Sequence, residues 1–73
     1  MPKETHLMTL VEFERLIKAE VEEESMTILM AGPDASKIHA TQSLRDNNPK
    51  LTFNQYVALS AIVCRVIDNF FKV

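Results

Sequence analysis

The sequence predicts an all-α protein, a hairpin of two long helices with a less committed segment between them. Three observations lead there. Twice in 73 residues a threonine is followed three positions later by Glu or Gln at the head of an apolar run, the signature of a helix capping box. The apolar residues after each signature recur at helical spacing. The chain also has a single glycine, and no second strand accompanies the one short segment that could be read as extended.

The first helix is expected over about residues 10–31, after a flexible terminus at residues 1–8. In "MTLVEF" Thr9 caps, Glu12 completes the box and Met8 can pack on Phe13 as a hydrophobic staple. Leu10, Phe13, Ile17, Val21 and Ile28 then form one narrow apolar stripe, with Leu16 at its margin. Glu14 and Lys18 stand in the favourable order for a pair four residues apart. The stretch "SMTILMAG" also suits a short strand, but without a pairing strand the helix is expected to continue to Ala31, where Gly32 and Pro33 stop it.

Residues 34–46 read as either a weak, short helix capped by Asp34 or an ordered connection. Ile38 and Leu44 are its only large apolar side chains, and "DNNP" ends it. The last helix is expected over about residues 53–71. Thr52 and Gln55 form its capping box, with Leu51 and Tyr56 at the staple positions.

That last helix is unusually apolar. Placed at 100° per residue, its large side chains cover an arc of roughly 220°, whereas a single packed seam needs about 100°. It therefore needs neighbours on at least two sides, and the first helix offers only one narrow stripe. So small a chain also has a thin stability margin, and its lone Cys64 rules out an internal disulfide. Self-association is the expected remedy, through Phe53, Tyr56, Leu59, Val63, Val66, Ile67 and Phe70, several of which repeat at three- and four-residue intervals. The competing reading makes the same stripe the core of a monomer.

Little in the sequence suggests chemistry. His6, His39 and Cys64 fit no metal-ligand spacing, and no cofactor is expected. Cys64 reads as a small core residue and His39 as a surface residue. No phosphate-binding glycine loop, GxSxG or HExxH occurs, so an enzyme is not expected. "MPKETHLM" lacks the apolar core of a signal peptide, and the greasy run 56–71 is short for a membrane span and carries Arg65 and Asp68, so a cytoplasmic protein is expected.

Charge divides the chain. Residues 1–30 carry seven acids against three bases, and residues 31–73 carry three acids against five bases. Glu20, Glu22, Glu23 and Glu24 read either as a solvated face or as the contact for a basic partner. Lys37, Arg45 and Lys50 make a sparse phosphate footprint, and the start of the last helix has no basic residue between Lys50 and Arg65, so nucleic-acid binding is the weaker expectation. The function expected is a non-enzymatic protein-interaction module, an oligomeric accessory or regulatory protein acting on a host or partner protein. The alternative is a small DNA-binding transcriptional regulator using the basic middle segment.

As architecture, the two capped helices "TLVEFERLIKAEVEEE" and "TFNQYVALSAIVCRVIDNFF" with their polar connection resemble the small helical accessory proteins encoded in early regions of lambda-like temperate phages. The resemblance implies action in the host cytoplasm through protein contacts that modulate host or phage development, and it assigns no residue a role. A bacterial adaptor or a small secretion-type chaperone would fit the same residues.

Overall fold

The computed structural model describes residues 8–72. Four α-helices follow one another: α1 Leu10–Glu23, α2 Ser25–Ala31, α3 Pro33–Asn47 and α4 Phe53–Phe71. No strand occurs among the described residues. Apart from Met8, the expected flexible terminus lies outside them, as do His6 and most of the segment read for a signal peptide.

Both capping boxes form as their chemistry requires. Glu12 N–H donates to Thr9 Oγ1 at 3.1 Å, and Thr9 N–H donates to Glu12 Oε1 at 2.9 Å. Thr52 and Gln55 repeat the exchange at 3.1 and 2.9 Å. Met8, Leu51 and Tyr56, the residues placed for stapling, are half-buried against the core.

The expected single helix to Ala31 is interrupted at Glu24, whose backbone (φ −105°, ψ 25°) leaves the helical region. Three consecutive carboxylates sit at the end of α1, with no basic residue in the last turn, where the negative end of the helix dipole disfavours acids. The chain restarts at once, because Glu24 N–H donates to Glu20 O and Glu24 O accepts from Ile28 N–H. Gly32 (φ 89°, ψ 168°) then separates α2 from α3 in a conformation that favours glycine. It closes one helix and opens the next: its N–H donates to Ile28 O at 3.0 Å and its carbonyl accepts from Ser36 N–H at 3.1 Å. Asp34, expected as the N-cap, lies instead in the first turn of α3, with Pro33 ahead of it and Gly32 at the cap.

The middle segment is neither short nor a connection. It is a helix of 15 residues, and it runs antiparallel to α4, as Lys37 Nζ beside Asp68 Oδ1 (2.8 Å) and Arg45 over the Tyr56 ring (5.5 Å) together require. Leu44 is fully buried there while Ile38 points to solvent. Ser36 and Asn48 are buried too, each satisfied by a backbone carbonyl: Ser36 Oγ donates to Ile28 O and Asn48 Nδ2 to Leu44 O.

Among the described residues nine form the core: Phe13, Ile17 and Val21 from α1, Leu44 from α3, and Leu59, Ile62, Val63, Val66 and Ile67 from α4. The wide apolar arc of α4 thus lies between α1 and α3. Glu14 Oε1 accepts from Arg65 Nη2 at 3.0 Å across α1 and α4, a surface pair that orients the helices more than it holds them.

This closure alters the expected self-association seam. Leu59, Val63, Val66 and Ile67 are enclosed in the chain's own core, because α3 supplies the second neighbour that the sequence reading assigned to another copy. Tyr56 and Phe70 are half-buried, and only Phe53, 76% exposed, stands free of the core. Cys64 is half-buried as well, and so less enclosed than expected of a core residue.

Candidate functional site

The break at Glu24 and the joint at Gly32 tilt α2 away from α4. None of its residues is fully buried, and it leans on α3 and the end of α1. Beneath it lies a cleft of about 370 Å³. Ile17 and Val21 of α1 and Val63 and Ile67 of α4 stand behind its wall, all but buried, so the apolar surface it offers comes mainly from the α2 and α3 sides. Ile28 lines the α2 side, while Ala35, Ser36 and Ala40 line the α3 side. The cleft exists because these α3 residues are small and because α2 carries its larger side chains outward, with Met26, Leu29 and Met30 (85%) exposed. The Ser36 hydroxyl ties the α2 and α3 sides together through Ile28 O at 3.3 Å.

Acidic groups join this apolar lining. Glu20 and Glu24 contribute to it, as does His39. A second depression of about 330 Å³ shares those three residues and Ala40 and adds Glu23. Of the four acids singled out in the sequence, Glu20, Glu23 and Glu24 are therefore brought together, Glu20 half-buried and the other two exposed. Glu22 lines neither depression, since at 100° per residue it points to the far side of α1 from Glu20 and Glu24. His39, read as a surface residue, is exposed and lies at the edge of the cleft.

The cleft itself is the feature that sequence reasoning missed. The side chains behind its wall were legible as core, but the space depends on a backbone break and on an absence of bulk across α3. The one local signal was the run of small residues at Ala31, Ala35, Ser36 and Ala40.

A separate surface lies at the turn from α3 to α4. Phe53 projects there, and Arg45 and Phe53 line a shallow depression of about 310 Å³ that includes the turn residue Pro49, next to Lys50. It shares no lining residue with the cleft. Of the three bases considered for phosphate contact, Lys37 is paired with Asp68, whose hydrogen bond raises the Lys37 pKa above its ordinary value. Asp34 lies 4.0 Å from the same ammonium.

Among the described residues no group of three or more His, Cys, Asp and Glu side chains is arranged to hold a metal ion. No helix among them is long and apolar enough to cross a membrane. Set against known protein families, curated proteins and solved structures, the chain matches none of them.

Proposed function

We propose that the protein is a small non-enzymatic interaction module, an accessory or regulatory protein that holds a segment of another protein in the cleft between α1, α2 and α3. The observation that carries this is the coincidence of an apolar lining with Glu20, Glu23 and Glu24 at its border. An apolar cavity of this size suits a large side chain, since burying it stabilises by about 25 cal/mol per Å² of apolar surface. Carboxylates around it select for a segment in which that side chain is flanked by Lys or Arg, and they set orientation and encounter rate more than raw affinity. A basic amphipathic helix meets both requirements.

Ser36, the buried hydroxyl of the cleft, donates to a backbone carbonyl and serves structure. DNA contact through Lys37, Arg45 and Lys50 has less support, because Lys37 is already matched with Asp68. Retention on DNA that falls steeply with salt would favour that alternative. Action on a host protein in the cytoplasm, expected from the sequence's architectural likeness to phage accessory proteins, remains part of this proposal.

The test is fluorescence anisotropy with a labelled amphipathic peptide of lysine and phenylalanine. Binding is expected to weaken with salt, to fall several-fold in Glu23→Gln/Glu24→Gln, and to be lost in Ala35→Trp, where an indole fills the cleft. Ala35 is exposed, so that variant should still fold. Affinity unchanged by both variants would overturn the assignment.

A further inference from the structure

The exposed corner at the α3–α4 turn has the same character as the segment the cleft is suited to receive. Phe53, 76% exposed at the first position of α4, is a large apolar side chain without a place in the core. Arg45 and Lys50 precede it by eight and three residues, both exposed, and Asp46 is the only acid between Arg45 and Phe53. The region Glu20–Glu24 carries four acids and no base. One chain thus bears an apolar plug beside two cations and an apolar socket beside carboxylates, at sites with no lining residue in common.

We propose that the cleft of one copy receives Phe53 of a second copy, with Arg45 and Lys50 of the second copy meeting Glu20, Glu23 and Glu24 of the first. The proposal rests on the reading of the cleft as a docking site. Because plug and socket are different surfaces, a single contact leaves one free plug and one free socket, which either close on each other about a two-fold axis or join further copies head to tail. Association through one aromatic and a few exposed charges is weak and salt-sensitive. Of the α4 seam expected from the sequence this contact uses Phe53 alone, and it leaves Leu59, Val63, Val66 and Ile67 in the core.

Sedimentation velocity from micromolar to millimolar protein tests it with two variants. Phe53→Glu removes the plug at an exposed position, and Ala35→Trp fills the socket; circular dichroism checks that both are folded. The parent should associate with rising concentration, and less so at high salt. Each variant alone should remain monomeric. Their equimolar mixture should form a heterodimer and nothing larger, because one contributes the only working socket and the other the only working plug. A parent that stays monomeric throughout, a variant that associates as the parent does, or a mixture that stays monomeric would each overturn the proposal. The second of these results would direct attention to the outward Met26, Leu29 and Met30 face. Peptide binding by a parent that remains monomeric would defeat the proposal while leaving the cleft a docking site. Heterodimer formation without peptide binding would do the reverse for the proposed use of the cleft by other proteins.

Discussion

Glu12 and Gln55 occupy equivalent places in the two capping boxes, and they differ by one titratable proton. Hydrogen bonding from the Thr9 backbone N–H, and then from the Thr9 side chain, holds the Glu12 carboxyl below its ordinary pKa. A depressed carboxyl contributes stability that is present above the unfolded-state pKa and is lost as pH falls through the folded-state value. The first turn of α1 should therefore loosen below the ordinary carboxylate range, while the amide of Gln55 keeps the first turn of α4 indifferent to acid. Amide exchange across the two turns, followed as pH is lowered, should show this asymmetry, and Glu12→Gln should abolish it. At neutral pH, Thr9→Ala and Thr52→Ala should each cost about 1 kcal/mol in thermal melts. Both boxes were legible in the sequence because the groups that exchange hydrogen bonds lie within one turn of each other.

α3 was less legible, and the reason lies in what it packs with. Its burial uses Leu44 together with Ser36 and the half-buried Ala40, side chains too small or too polar to register as an apolar stripe. Ile38, the other apolar residue available to sequence reasoning, is 60% exposed. Leu44→Ala should accordingly cost about 2–5 kcal/mol in urea unfolding. Ile38→Ala should stay within about 0.5 kcal/mol. Equal effects would mean that α3 does not dock on α4 through Leu44. The demand of α4 for two neighbours was readable from its wide arc, but which element met it depended on tertiary packing. The break at Glu24 was half-visible: three acids and an ambiguous "SMTILMAG" marked a weak point, yet nothing local fixed the angle at which the chain resumed.

At the scale of the whole molecule, three helices hold the core and the fourth stands apart. α1, α3 and α4 contribute all nine core residues, and α2 contributes none. Segments with little burial open at lower free energy than the core, so α2 is the element expected to open first. Its attachment is unusual, because no linker separates it from α3: Ala31 ends one helix, Pro33 begins the next, and Gly32 alone makes the turn. A methyl group at residue 32 would meet nothing within 4 Å, so the constraint there is conformational. Gly32→Ala should cost on the order of 1–3 kcal/mol despite the open space. Hydrogen exchange should find the loss concentrated in α2, whereas uniform loss across all four helices would argue that the joint serves the core. Pro33 has a fixed φ, which leaves the torsions of Gly32 at one end and Glu24 at the other to set how far α2 swings. The gauge of the cleft is thus written in a few backbone angles at either end of α2, apart from the core that α1, α3 and α4 hold.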